Sequence, residues 1–297
     1  MNLKKPKFWD YKRPNIFAYL LSPIALLIQL LSVLKIKSKI TKLNIKTICV
    51  GNIYLGGTGK TSLSIKINEI LNKKNIKSCF VKKFYKNQID EQKLLKSRGK
   101  LFLFPKRLDA INQAEKENYE IAILDDGLQD KTLNIDVSFV CFNNLNWIGN
   151  GLTIPSGPLR ENLSSLRKYD AVFFNGNNES ETEFEYFIKK KFTHLKIFKS
   201  QYKIKNNENF DKKDKYLVFA GIGNFENLIE MLKINNFSII KSLNYPDHYN
   251  YKQYDIDRIK NIANENNAKI ITTEKDFVKI SHENQKNIKK IEVELEI

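Results

Sequence analysis

The stretch Gly51-Asn52-Ile53-Tyr54-Leu55-Gly56-Gly57-Thr58-Gly59-Lys60-Thr61 constrains this chain more than any other. An apolar run, Ile45 to Val50 interrupted only by Lys46 and Thr47, leads into a glycine-rich turn that Gly59-Lys60-Thr61 closes. Apolar residues at helical spacing follow (Leu63, Ile67, Ile70, Leu71). Strand, glycine loop and helix in that order form a phosphate cradle. Successive backbone N–H groups face an anion, and the helix N-terminus adds its partial positive charge. Tyr54 through Thr61 are therefore expected to wrap the phosphates of a nucleotide, with Lys60 reaching the β- and γ-phosphates and the Thr61 hydroxyl holding Mg²⁺. A strict match wants glycine where Tyr54 stands. The plainer alternative is a glycine turn that only caps a helix.

The rest of the chain supplies a sheet for such a loop. Ser78–Val81, Ile121–Leu124, Val137–Phe142 and Ala171–Phe174 read as short buried strands, with a helix over Asp109–Asn118. Alternation at this spacing predicts a doubly wound α/β fold with a mainly parallel sheet, of the P-loop NTPase type. Asn175 to Glu183 reads as a loop, and Lys203 to Lys215 as a polar linker. Tyr216–Ala220 and Lys269–Thr272 then begin and continue a second, smaller α/β unit. The expected organisation is an N-terminal membrane-associated helix (1–38), a nucleotide-binding domain (39–200), a linker (201–215) and a C-terminal α/β lid (216–297).

Asn15 to Leu34 carries no charge over 20 residues, a helix of about 30 Å and so roughly the depth of a bilayer core. Ser22, Pro23, Gln29 and Ser32 weaken a spanning reading. Basic residues flank both ends (Lys4, Lys5, Lys7, Lys12, Arg13; Lys35, Lys37, Lys39), which favours a helix resting on an anionic leaflet over a true span or a helix packed on the domain. The formal charge of +17 suggests acidic partners, but the lysines are scattered and no compact basic block interleaved with aromatics is present, so nucleic acid is not expected. Cys49, Cys79 and Cys141 lie far apart in apolar runs and read as reduced core thiols, not as metal ligands.

Asp125-Asp126-Gly127 ends an apolar strand, where open α/β sheets hold their ligands. A carboxylate there suits the Mg²⁺ that bridges β- and γ-phosphate oxygens. The sequence leaves open which of Asp125 and Asp126 faces it, and a tight strand exit explains the same residues. Asp90-Glu91 opens a helical run, where an acidic pair also serves the helix dipole. Arg107, Arg160 and Glu161 can serve an anion site or can pin loops. His248, in Tyr245-Pro246-Asp247-His248-Tyr249, has no partner assigned by spacing.

Taken in order, these segments resemble the tetraacyldisaccharide 4′-kinases, which phosphorylate a lipid A precursor on the cytoplasmic face of the bacterial inner membrane. The resemblance runs from Phe8-Trp9 and the apolar helix through the cradle, Asp90-Glu91, Asp125-Asp126-Gly127 with Gln129, and Pro155-Ser156-Gly157-Pro158-Leu159-Arg160-Glu161. It continues through Phe219-Ala220-Gly221-Ile222-Gly223-Asn224, Pro246-Asp247-His248 and Thr272-Thr273-Glu274-Lys275-Asp276. It implies transfer of the γ-phosphate of ATP, with Mg²⁺, to the 4′-hydroxyl of an acylated diglucosamine 1-phosphate lipid, giving lipid IVA. Asp90 would be the base, paired with His248 across a domain cleft. Lys60 and Arg107 would stabilise the transferring group, and Thr61 with Asp125 and Asp126 would manage the metal. Glu91, Gln129, Arg160, Glu161 and Tyr85 would contact substrate. The resemblance further implies a monomer working at the inner-membrane surface.

Two departures stand out. Lys82-Lys83-Phe84-Tyr85 replaces the usual Ser-Arg-Gly-Tyr, and Asp130 replaces a histidine. The rival reading is a membrane-associated ATPase switch of the partitioning type. That type needs a lysine immediately before the paired glycines, where this chain has Leu55.

Overall fold

The computed structural model of the chain describes residues 5–34, 41, 43–86, 88–143, 147–176 and 182–297. Lys4, Lys35, Lys37 and Lys39 of the expected basic flanks, Lys42, and residues 177–181 of the expected loop lie outside the described residues. The chain divides into two compact units, one of Met1–Phe84 and Gly99–Gln201 with Ile297, the other of Tyr85–Arg98 and Tyr202–Glu296.

In the first unit the N-terminal helix α1 (Ile16–Leu34) precedes β1 (Lys46–Gly51), α2 (Lys60–Lys73) and β2 (Ser78–Lys83). After the excursion of α3 (Ile89–Arg98) into the second unit come β3 (Leu101–Phe104), α4 (Arg107–Lys116), β4 (Ile121–Asp125), β5 (Val137–Asn143), β6 (Ala171–Asn175), α5 (Glu183–Lys191) and β7 (Lys196–Ile204). The strands lie in the order β7-β6-β5-β1-β4-β2-β3, and every neighbouring pair is parallel. This is the doubly wound sheet that the alternating apolar runs imply. Its inner strands β2, β4 and β6 are buried almost end to end, as a parallel sheet requires, while the edge strand β7 is largely exposed. Cys49, Cys79 and Cys141 are free and buried there. Burial pushes the Cys79 and Cys141 thiols up to about 12, so they stay protonated and inert.

Asn15 caps α1, its side chain accepting from the Ala18 N–H at 3.0 Å. Pro23 cannot donate to the Tyr19 carbonyl, and the Ser22 hydroxyl donates to it instead at 2.7 Å. Ala18 and Ala25, one above the other, form a narrow buried seam, while Ile16, Phe17, Leu20, Ile24, Leu27 and Leu30 are exposed. Among the described residues no helix is long and apolar enough to cross a membrane, so the spanning reading has no element to carry it there.

The second unit contains α3 and then β8 (Lys215–Ala220), α6 (Phe225–Ile234), β9 (Ser238–Asn244), α7 (Gln253–Glu265) and β10 (Lys269–Thr273). It closes with α8 (Glu274–Phe277), α9 (His282–Gln285), β11 (Ile288–Ile291) and β12 (Val293–Glu296). A parallel sheet of order β11-β10-β8-β9 is its centre, and β12 lies beside β7, whose last residues belong to this unit. Residues 85–98 fall within 39–200 in the expected organisation. The structure instead groups α3 with the second unit, where it packs against α8. Polar contacts explain this. The Arg98 Nη2 donates to both Glu274 oxygens at 2.7 and 3.0 Å, and Lys93 Nζ donates to the Val278 carbonyl at 3.3 Å.

Candidate active site

In the first unit the register that sets Val50 opposite Asp125 levels the carboxyl ends of β1 and β4. The glycine loop leaves β1 at that edge. Asn52, fully buried, donates to the carbonyls of Tyr54 and Gly56, the latter at 3.2 Å. From the ends of β5 and β6, Asn143 donates to the Gly57 carbonyl at 3.1 Å and Asn175 donates to that of Thr58. The loop's carbonyls are thus taken up by side-chain amides. Gly59 has φ +81°, a left-handed conformation that favours glycine. It forms the N-cap of α2, and no side-chain cap bonds that end among the described residues. The first-turn N–H groups of an uncapped helix are an anion site. The Thr58 hydroxyl beside them is buried with no hydrogen-bond partner among the described residues. Tyr54 is not among the residues of positive φ, so its position needs no glycine. Its hydroxyl donates to Asp10 at 2.7 Å, and Leu55 N–H donates to the Pro158 carbonyl at 2.8 Å.

The two aspartates at the end of β4 diverge. Asp125 accepts from the hydroxyls of Thr61 at 3.4 Å and Ser64 at 3.3 Å, and from the Lys82 ammonium at 2.5 Å. Asp126, at φ +60°, turns away. It meets Arg160 at 2.9 and 3.2 Å and Lys60 at 3.8 Å. Burial works against its charge, but Lys60, Arg160 and Lys82 outweigh burial and hold the carboxyl below the usual range. Arg107 meets Asp130 at 3.2 Å and donates to the Asp126 carbonyl, while its buried Nε has no partner among the described residues. Gln129 donates to the Asn52 carbonyl and to Glu161, each at 3.0 Å, and Glu161 accepts from the Tyr169 hydroxyl at 3.2 Å. The structure therefore gathers Lys60, Thr61, Arg107, Asp125, Asp126, Gln129, Arg160 and Glu161 around one sheet edge.

Asp90 and His248 both fall within the second unit, where they meet. The His248 Nδ1 lies 3.0 Å from both oxygens of Asp90, and Nε2 lies 3.7 Å from Glu91. Lys275 and Lys279 face Asp90 at 3.6 and 3.4 Å. Burial opposes the charge of Asp90, but the His248 hydrogen bond, with Lys275 and Lys279 as nearby cations, brings the carboxyl down to about 2. Asp276, also buried, holds the arrangement together. It accepts from the Gly221 N–H at 3.1 Å, the Tyr251 hydroxyl at 3.0 Å, the Thr273 hydroxyl at 2.7 Å and Lys279 at 2.9 Å. The Gly221 carbonyl in turn accepts from the His248 N–H at 3.2 Å. The segments around Gly221, His248 and Asp276, separate in sequence, are one construction that presents the pair. Tyr85 is exposed, and its carbonyl accepts from Gln92 at 2.8 Å.

Sequence reasoning missed Lys82, Lys279, Ser64, Asn143 and Asn175. Lysine and asparagine are so common in this chain that neither type stands out by composition. Lys275 and Asp276 lay within a quoted motif, but nothing in spacing gave them roles.

A family model for tetraacyldisaccharide-1-P 4′-kinase matches residues 17–297. A tetraacyldisaccharide 4′-kinase of Pelagibacter ubique (strain HTCC1062) is 53% identical over 297 residues, covering 100% of this chain and 95% of the relative. The enzyme of that name from Rickettsia typhi (strain ATCC VR-144 / Wilmington) is 33% identical, covering 100% and 95%. Among solved structures, the "apo" form of LpxK from Aquifex aeolicus in complex with ATP superposes with a TM-score of 0.67 at 23% identity, over 94% of this chain and 92% of that one. The last likeness bears on the fold alone and agrees with the parallel sheet described above. With a family model matching residues 17–297 and named relatives matching the whole length of the chain, this chain belongs to the tetraacyldisaccharide-1-P 4′-kinase family, and it is a kinase, a transferase that acts on a hydroxyl group.

Proposed function

We propose that this chain transfers the γ-phosphoryl group of ATP to the 4′-hydroxyl of the tetraacyldisaccharide 1-phosphate lipid, forming lipid IVA at the cytoplasmic face of the inner membrane. The observation that carries this reading is an uncapped phosphate cradle in the same chain as a hydrogen-bonded carboxylate–imidazole pair. A nucleotide switch needs the first but not the second. The partitioning-type ATPase reading is not supported, since the relatives that match the whole chain are lipid kinases.

The cradle from Tyr54 to Thr61 would hold the triphosphate, with first-turn N–H groups of α2 and the Thr58 hydroxyl as donors. The orphaned Thr58 hydroxyl and the uncapped helix fit that group. Thr61 and Asp125, 3.4 Å apart, are the hard oxygen pair that fits Mg²⁺, a cation that keeps several waters and takes its other ligands from phosphates. When bound, Mg²⁺ would neutralise charge on the β- and γ-phosphate oxygens. Lys60 and Arg160, both anchored on Asp126, would be held at fixed positions toward the developing charge, and Arg107 would support the turn that carries Asp126. Asp90 would accept the proton of the sugar hydroxyl, with His248 fixing its orientation. Phosphoryl transfer relies on positioning and charge neutralisation more than on base strength, so a carboxyl at about 2 suffices. Glu91, Gln129, Glu161 and Tyr85 are assigned to the acceptor lipid. The exposed apolar residues of α1 would lie in the membrane interface, where the acceptor resides.

The test uses γ-labelled ATP and the acylated diglucosamine 1-phosphate acceptor in detergent. Label in the lipid phase is expected. Label released only as inorganic phosphate would return the protein to the ATPase class.

A further inference from the structure

Lys82 ends near the carboxyl edge of β2 with its side chain 1% exposed, and Asp125 ends β4 with none of its surface exposed. The strands run parallel, and the register that sets Val81 opposite Leu124 brings the next two side chains abreast. The ammonium lies 2.5 Å from Oδ2, the same oxygen that faces the Thr61 hydroxyl at 3.4 Å, while Oδ1 faces Ser64 at 3.3 Å. A lysine withdrawn from water to this degree persists only where its charge is met. It sits in the segment Lys82-Lys83-Phe84-Tyr85, where the sequence departs from the pattern it otherwise resembles. Its partner is the carboxylate assigned above to the metal.

We propose that Lys82 is a positioning residue: its ammonium is the standing counter-cation of Asp125 in the nucleotide-free enzyme, fixes that carboxylate beside the Thr61 hydroxyl, and keeps Mg²⁺ from loading without nucleotide. Mg²⁺ sits about 2.1 Å from an oxygen ligand, so a metal on the same carboxylate would lie within a few ångströms of the ammonium. Two cations that close repel strongly in a buried site. The nucleotide's phosphates bring the negative charge that lets both remain. Metal and nucleotide are then taken up together, and the empty cradle is not filled by metal alone.

The inference rests on reading Asp125 as metal-facing, and that reading has its own check: wild-type transfer at full rate in EDTA would sink it, whatever the following comparison shows. Melting midpoints are measured for the wild type, Lys82→Met and Lys82→Met/Asp125→Asn, in EDTA and in Mg²⁺ without nucleotide. Removing one member of a buried pair strands the other, so Lys82→Met in EDTA melts lower by about 6 to 20 °C. Mg²⁺ alone restores most of that loss, yet moves the wild type by less than about 2 °C. The double variant regains stability without metal and does not respond to it. By titration, Mg²⁺ alone binds Lys82→Met at least about tenfold more tightly than wild type, the scale of one removed repulsion. An equal Mg²⁺ response in wild type and Lys82→Met, or a double variant as unstable as the single, overturns the proposal. Should Lys82→Met fold only when produced with Mg²⁺, that selective rescue supports it. Failure to fold in both media overturns it.

Discussion

Replacing His248 with alanine perturbs the proposed base without touching the cradle. The ring nitrogen lies 3.0 Å from both Asp90 oxygens, while Lys275 and Lys279 remain at 3.6 and 3.4 Å to hold the carboxylate in place. A hydrogen bond to a charged group contributes about 1.5–3 kcal/mol. If that stabilisation orients the carboxylate for proton transfer, its loss lowers kcat by about 10- to 150-fold. Asp90→Ala removes the base itself and lowers kcat by roughly 10²- to 10⁴-fold. Because His248 acts through Asp90, the double variant should be no slower than Asp90→Ala to within about threefold. ATP affinity, measured separately by titration, should stay within about twofold of wild type in all three. Initial rates of lipid phosphorylation in detergent, at saturating ATP and acceptor, give the cycle. Losses that multiply would show that the two residues act independently, and His248→Ala with wild-type turnover would show that the contact has no part in the reaction.

Three further outcomes follow from the same geometry. Asp90 is held down to about 2 in the folded chain against an ordinary carboxyl value of 3.8, so its pairing contributes about 2 kcal/mol that is fully present above pH ~4 and lost as pH falls toward 2. Urea midpoints of Asp90→Asn should therefore decline less than those of wild type between about pH 5 and pH 2.5, and parallel declines would contradict the pairing. Gly59→Ala places a β-carbon at φ +81°, which should cost about 1 kcal/mol or more in stability and weaken ATP binding by at least about tenfold; calorimetric binding at the wild-type constant would rule out the loop conformation described. Changing Leu20, Leu27 and Leu30, all exposed on α1, to serine should abolish co-sedimentation with anionic vesicles while leaving lipid phosphorylation in detergent active. Undiminished sedimentation would remove the helix from the membrane.

The sheet and the cradle were legible because both rest on local patterns. Apolar runs such as Ile121–Leu124, short and bounded by turn residues, read as buried strands, and Gly59-Lys60-Thr61 marks a glycine loop opening a helix. The location of Asp90 was not legible. Residues 85–98 lie between β2 and β3 in sequence, and only long-range pairs such as Arg98–Glu274 assign α3 to the second unit. That assignment places the Asp90–His248 contact inside one unit. The division of labour between Asp125 and Asp126 was equally hidden, since it depends on a left-handed turn at Asp126 and on Arg160 from a distant loop. Lys82 went unread for a different reason. In a chain with 50 lysines and arginines, a buried and paired lysine looks like all the others until its strand neighbour is known.

As a lipid kinase, the protein should pass phosphate from ATP to a sugar hydroxyl and not to water. Phosphorus NMR of a reaction containing the protein, ATP, Mg²⁺ and the tetraacyldisaccharide 1-phosphate measures both fates at once. Transfer to the lipid should match loss of the γ-phosphate signal with a second sugar phosphomonoester coupled to the 4′ proton, with little inorganic phosphate. Loss of the γ signal matched by inorganic phosphate, with the lipid unchanged, would contradict it.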